Sequence, residues 1–272
     1  MKQWKVSLPI PVLLTNPMVY QFGNPILGLC FPQRIIYELK ESKEKAIPIT
    51  ADILDWCRQI HKRKVVPVSY AYTYTNPQRI TSSIAQETGK ALVFAYWYLK
   101  RPLTESEMHA LMSVVWKGKE VELICALQAI HGGITYSRRE FAFLKQTSLL
   151  PINIPKDWSE QLSISISHKK TDWTKEIEKG RTLYNQPKHK MRQYLDEYEV
   201  LTKKIVTAIT TESWELFQKS IITLCRHQFS QESTTENNLP IYMVNHKTEM
   251  LIDRKIKTAI PFQVEKQGAL FL

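Results

Sequence analysis

A chain of 272 residues with 43% hydrophobic and 10% aromatic residues is long enough to bury a real core, as one large domain or two modest ones, and reads as globular. Its 37 Lys+Arg against 26 Asp+Glu give a net charge of +11, which favours polyanionic partners: RNA, DNA or an anionic membrane surface. No apolar run approaches the roughly 18 residues that span a bilayer, and the segment opening at Met1 carries no signal-peptide core, so no membrane partner and a cytoplasmic location are expected.

Residues 4 to 14 alternate Trp4, Val6 and Leu8 with Lys5 and Ser7, and Pro9 and Pro11 restrict them to an edge or terminal strand. Asn16-Pro17, Gly23-Asn24-Pro25, Gly28 and Pro32 punctuate the next apolar stretch, which predicts a loop before Ile35, Ile36 and Leu39 start a helix. Thr50 can N-cap a helix with Ile53, Leu54, Cys57 and Ile60 on its buried stripe, ending in His61-Lys62-Arg63-Lys64. Those cations suit a helix C-terminus as well as they suit a phosphate.

Residues 65 to 100 read as a long β-hairpin, with arms rich in β-branched and aromatic types around Asn76-Pro77 and a polar run closing at Gly89. Alternation puts Tyr70, Tyr72 and Tyr74 on one face of the first arm, and Leu92, Phe94, Tyr96 and Tyr98 together on the second. A connection of about sixteen residues is too long for a tight turn, so its tip should project, carrying Arg79 and Lys90. A basic, hydroxyl-rich finger of this kind suits a nucleic-acid clamp. Ordinary half-buried sheet tyrosines and a surface loop would produce the same letters.

Thr104-Glu105-Ser106-Glu107 is a capping box ahead of Met108, Leu111, Met112 and Val115 at helical spacing. A second helix from Lys119 should run to His131 and stop at Gly132-Gly133. Residues 134 to 144 resume a strand, with Tyr136, Arg138 and Glu140 on one side and Arg139, Phe141 and Phe143 on the other. The expected class is α+β: a ferredoxin-like or RRM-type βαββαβ unit over residues 1 to 148, with the hairpin as a thumb. Residues 149 to 158 look like a Pro-bounded linker opening a mainly helical region, residues 149 to 272, with a short strand at 163 to 167, helices from Pro187 and around Trp214, and two strand-like pieces near the end.

The chemistry-bearing signals are sparse. There is no GxxxxGK[ST], GxGxxG or GxSxG, and eight glycines leave little room for phosphate cradles. Cys30, Cys57, Cys125 and Cys225 lie far apart without CxxC or Cys/His spacing, which argues for reduced core thiols and against structural zinc. Glu38-Leu39-Lys40 and Asp253-Arg254-Lys255 resemble the end of a metal-nuclease motif but lack an evident second acidic ligand, so no metal is expected. His131, beside Gly132-Gly133 and a strand with Arg138 and Arg139, is the best group for general acid–base work on RNA, although a histidine at a helix end is more often a dipole-satisfying cap. What remains is binding without a cofactor: cations for phosphates, with tyrosines and Trp97 as stacking platforms.

Three stretches in the first 145 or so residues, LPIPVLLTNPMVYQFGNPILGLCFPQRIIYEL, SYAYTYTNPQRITSSIAQETGKALV and LICALQAIHGGIT, resemble a CRISPR-associated RAMP family: the 5′-handle-binding backbone subunit of a type I-F (Csy) or related variant Cascade complex. The resemblance implies a non-catalytic, antiviral ribonucleoprotein subunit that holds the 5′ handle of a guide RNA and pairs with a large subunit and backbone subunits, with target DNA as a further contact. By position it implies an RNA-binding set of Tyr70, Tyr72, Tyr74, Asn76, Arg79, Lys90, His131, Gly132, Gly133, Arg138 and Arg139. The alternative is a nuclease of a defence system or mobile element, acting on RNA or DNA.

Overall fold

β1 (Trp4–Leu13) and β2 (Ile26–Glu41) are the longest-range organisers of the chain, because each contributes residues to both of the compact units into which it divides. The computed structural model describes residues 4–15, 17–41, 50–64, 68–74, 82–140, 146–155, 157–158, 162–166, 187–226, 238–243, 246–252, 260–261 and 264–272. The first unit holds residues 1–11, 30–132 and 265–272, and the second holds 12–29 and 133–264. The class is α+β with antiparallel strand pairing.

In the first unit, β3 (Val68–Tyr74) runs antiparallel to β2, in register from Ile35 opposite Tyr74 to Glu41 opposite Val68. The short β10 (Leu270–Phe271) pairs with β1 through Val6 and Phe271. Four helices accompany these strands: α1 (Ala51–Ile60), α2 (Ser83–Leu99), α3 (Glu105–Val115) and α4 (Glu120–His131). α2 packs with the other three and is the core of the unit, burying Ile84, Ala85, Ala91, Leu92, Val93, Phe94, Ala95, Trp97 and Tyr98. Gly89 brings it against β2: a Cβ there would run into the buried ring of Tyr37.

Two expectations fail here. The second arm of the predicted hairpin, and with it the thumb, is the helix α2. Its β-branched and aromatic residues are buried on almost every side, so no polar stripe of period 3.6 exists to announce a helix, and the β-prone composition misleads. The helix predicted from Ile35 is the second half of β2. Burial there alternates strictly, with Phe31, Gln33, Ile35, Tyr37 and Leu39 inside and Pro32, Arg34, Ile36 and Glu38 half-exposed. The observed order, strand, strand, helix, strand, then three helices and a strand, is therefore not βαββαβ.

Other expectations hold. α1 starts after Thr50 and buries Ile53 and Cys57, but of the rest of the expected stripe Leu54 is half-buried and Ile60 exposed, and Thr50 makes no side-chain cap. The capping box at α3 is complete: the Glu107 N–H donates to Thr104 Oγ1 at 3.3 Å, and the Thr104 N–H donates to Glu107 Oε2 at 2.9 Å. Arg101 clamps the same carboxylate through both guanidinium ends, at 2.8 and 2.6 Å. These hydrogen bonds, that of Arg101 first, hold the Glu107 carboxyl well below the usual range, at about 2. A depressed folded-state value stabilises above the ordinary carboxylate pKa and loses that contribution as pH falls toward 2. Glu107→Gln should therefore cost about 1 kcal/mol in urea unfolding at pH 7, a difference that shrinks to nothing near pH 2. An equal loss at both pH values would contradict this.

In the second unit the strands follow the order β5-β4-β2-β1-β7-β8-β6-β9. They are β4 (Ile134–Glu140), β5 (Gln146–Ile152), β6 (Leu162–Ile166), β7 (Asn238–Met243), β8 (His246–Ile252) and β9 (Ile260–Pro261). β5 takes up residues 149 to 152 of the expected linker, pairing Leu149 with Ser137 and Ile152 with Ile134. α5 (Lys188–Thr210) and α6 (Trp214–Arg226) form a helical hairpin, with Tyr198, Leu201, Ile205 and Ile209 on one helix and Phe217, Ile221 and Leu224 on the other all buried. Trp158 is buried against Trp214 and Phe217. Among the described residues no helix is long and apolar enough to cross a membrane.

Candidate functional site

Two places in the first unit gather chemistry. One is the start of α2, where Ser82 has extended backbone and its hydroxyl accepts the N–H of Ala85 at 3.2 Å. Its carbonyl accepts from the N–H of Gln86 at 2.9 Å. The first turn carries no acidic residue, and Ser82 is buried. The first N–H groups of a helix have no partner within it, and the aligned peptide dipoles put partial positive charge at that end. In the sequence Arg79, Thr81 and Ser82 lead into this turn.

The other is where α3 and α4 meet. Glu105 is the first residue of α3 and His109 follows one turn later, on the same face. His131 is the last residue of α4, held there because Gly132 turns the chain at φ +77°. The Nε2 atoms of His109 and His131 lie 2.7 Å apart with the rings at 88°. His131 Nδ1 is 3.6 Å from a Glu105 oxygen. Burial first, and the charge of His131 second, lower the pKa of His109 below the ordinary histidine value. The group can share a proton or hold a cation.

The described members of the predicted RNA-binding set lie on β3, α2, the end of α4, the turn after it and β4. Tyr70, Tyr72 and Tyr74 lie on β3, opposite Leu39, Tyr37 and Ile35. Asn76 and Arg79 lie outside the described residues. Lys90 is on α2, paired with Glu87 at 2.7 Å. Gly132 is a packing glycine: a Cβ would sit 2.6 Å from the backbone of Gln267 and Gly268. Gly133, also at positive φ, completes the turn into β4. Arg138 faces Glu199 of α5 at 3.2 Å, and Arg139 pairs with Thr147 through the strand backbone.

In the basic run after α1, Arg63 exchanges backbone hydrogen bonds with the Tyr98 hydroxyl, both at 3.0 Å, and donates to the Tyr98 carbonyl at 3.1 Å. Trp97 is buried, so it offers no stacking face. The thiols of Cys30, Cys57 and Cys125 are free and buried, as expected of core cysteines, and burial pushes Cys57 up to about 12. Glu38 is held by Lys40 at 3.0 Å. Sequence reading missed Glu105 and His109, whose Glu-x-x-x-His spacing was visible, while His131 joins them only through tertiary packing.

No family model matches the sequence, and no curated protein matches it. Solved structures do. The Lin0012 protein from Listeria innocua superposes with a TM-score of 0.73 at 9% identity, over 100% of this chain and 99% of that one. A D-glycero-D-manno-heptose 1-phosphate kinase from Bacteriodes thetaiotaomicron gives 0.65 at 12% identity, over 99% and 98%. L. major mevalonate kinase in complex with R-mevalonate gives 0.64 at 12% identity, over 92% and 87%. The expectation of a non-catalytic guide-RNA subunit, and its nuclease alternative, are overturned by these neighbours, which include a heptose 1-phosphate kinase and a mevalonate kinase, both enzymes. At such identities the likeness establishes the fold: an α+β chain built as these kinases are, over nearly their whole length.

Proposed function

We propose that the chain is a small-molecule kinase-type enzyme, which takes the terminal phosphoryl group of a nucleoside triphosphate to a small hydroxyl- or phosphate-bearing acceptor. The observation that carries this reading is the full-length likeness to heptose 1-phosphate kinase and mevalonate kinase, an analogy of fold. The start of α2 supports it locally. A long, buried helix whose first turn has hydroxyls and no carboxylate is a seat for phosphate oxygens, which accept its N–H groups and sit at the positive end of its dipole. This needs no glycine cradle, which accommodates the scarcity of glycine. Arg79, three residues before Ser82 in the sequence, is the candidate cation for the same oxygens, and the net charge of +11 draws polyphosphates toward the surface.

The test is phosphoryl transfer by the full chain, with Mg-ATP and a panel of acceptors that includes mevalonate, sugar 1-phosphates and free sugars. Acceptor-dependent ADP release is expected, with the phosphorylated product seen by mass spectrometry. Arg79→Glu should lower kcat/KM at least tenfold, equivalent to about 1.4 kcal/mol of transition-state binding, without shifting the melting temperature. Full activity in Arg79→Glu would remove that residue from the site, and absence of ADP with every acceptor would contradict the reading.

A further inference from the structure

We propose that Glu105, His109 and His131 form a binding site for a divalent transition-metal ion of the zinc class, a role independent of the phosphoryl-transfer reading. The three donors sit on helix ends that other interactions fix. The Thr104–Glu107 capping box sets the start of α3, which places Glu105 and His109 one turn apart on one face. Gly132 ends α4, which makes His131 its last residue.

One ligand atom from each of the three residues lies within 4.8 Å of the others. The two facing Nε2 atoms are 2.7 Å apart. As a hydrogen bond this contact needs one of the two nitrogens to carry a proton and donate while the other is bare and accepts. A cation between them engages both lone pairs at once. Zinc held at about 2.0–2.1 Å from each nitrogen in tetrahedral geometry needs them about 3.3 Å apart, so an opening of roughly 0.6 Å admits it. Glu105, whose side chain is 69% exposed, can turn to complete the set without disturbing packing.

Two imidazole nitrogens and one carboxylate oxygen suit zinc and its late first-row neighbours, whereas magnesium and calcium prefer shells of oxygen. Three protein ligands leave a fourth position for water or an incoming anion. The cysteines take no part: Cys30, Cys57 and Cys125 are buried elsewhere in the core as free thiols. An occupied site would tie the first turn of α3 to the last turn of α4, beside the Gly132 backbone on which residues 266 to 268 pack.

The experiment uses untagged, full-length protein stripped with a chelator and titrated with zinc chloride by calorimetry. One equivalent with a micromolar or tighter Kd is expected, with a melting temperature about 5 °C higher at hundredfold excess over Kd. Glu105→Ala, at an exposed position that does not put folding at risk, should weaken that equivalent at least tenfold. His109→Gln combined with His131→Gln should remove it, with metal-free melting curves checking the fold. Cobalt(II) in place of zinc should give the strong visible absorption of a four-coordinate centre, lost in both variants. The proposal is overturned if the wild type takes up no such equivalent, if the equivalent persists unchanged in Glu105→Ala, or if millimolar magnesium displaces it.

Discussion

Arg34→Met is expected to destabilise the protein by about 3–5 kcal/mol and to lower its melting temperature by about 10 °C. The Arg34 side chain, only 11% exposed, binds the two ends of the chain to β2. Its Nε donates to Ser7 Oγ at 2.8 Å and one Nη to the Ser7 carbonyl at 3.0 Å, both on β1. The guanidinium also donates to the carbonyls of Gln267 at 2.9 Å and Gly268 at 2.6 Å, while Glu265 approaches at 3.7 Å. Burial lowers the Arg34 pKa and Glu265 opposes that shift, yet the group remains charged far above physiological pH. Removing the fork strands three carbonyls and a carboxylate together, which is why the loss should exceed that of a surface ion pair. Arg34→Lys restores the charge but not the planar geometry, and should recover less than half. A loss below about 1 kcal/mol in urea unfolding would mean that the last eight residues are held by something else.

Gly132→Ala should cost about 3 kcal/mol, through two causes that the structure separates. The φ of +77° strains any L side chain by roughly 1 kcal/mol. The new methyl would also press on main-chain atoms, 2.6 Å from Gln267 C and Gly268 N and 2.7 Å from Lys266 O, which cannot swing aside as a side chain can. Gly268→Ala meets the same seam from the other side, because its methyl would run into the Ile130 carbonyl. Chemical denaturation of both variants checks this. Since Arg34, Gly132 and Gly268 all act on the packing of residues 265 to 268, the double variant Arg34→Met/Gly132→Ala should lose less than the sum of its parts. Full additivity would contradict a shared seam.

These effects connect to what could be read from the letters. The strand at the start, the helix after Thr50, the capping box at Thr104, the helix ending at His131 and the stripe after Pro187 were legible, because each joins a period to a punctuating residue. β2 was half legible: Ile35, Ile36 and Leu39 fit a helical spacing, yet the alternation through Phe31, Gln33 and Tyr37 was the signal that mattered, hidden by Pro32. α2 was not legible, since a helix buried on most faces has no stripe, and Phe94, Tyr96, Trp97 and Tyr98 look like a strand.

The candidate sites fared differently. The sequence reading put Arg79 on a hairpin tip; the residues from Ser83 onward form the helix α2, and Arg79 lies outside the described residues. Lys90 and Arg138, expected in the RNA-binding set, and Arg63, whose basic run suited a helix end as well as a phosphate, have partners that reduce their pull on an external anion. The net charge was informative about polyanions in general and silent on which, and a nucleotide carries the same phosphates as a strand of RNA. Gly132-Gly133 resembled a loop near a ligand, but the first of the two serves close packing of main chain on main chain. His131 was singled out for acid–base work and RNA contact; the residues that surround it, Glu105 and His109, lie 26 and 22 residues earlier and meet it only in the folded unit.

The central claim is that this chain handles a nucleoside triphosphate, and calorimetric titration of the full chain with ATP and magnesium tests it most directly. Saturable binding of one equivalent in the micromolar to low millimolar range is predicted, weakened at least tenfold by Arg79→Glu. No detectable binding of ATP, GTP or their diphosphates at millimolar concentration, by protein whose melting curve shows it folded, would contradict the account.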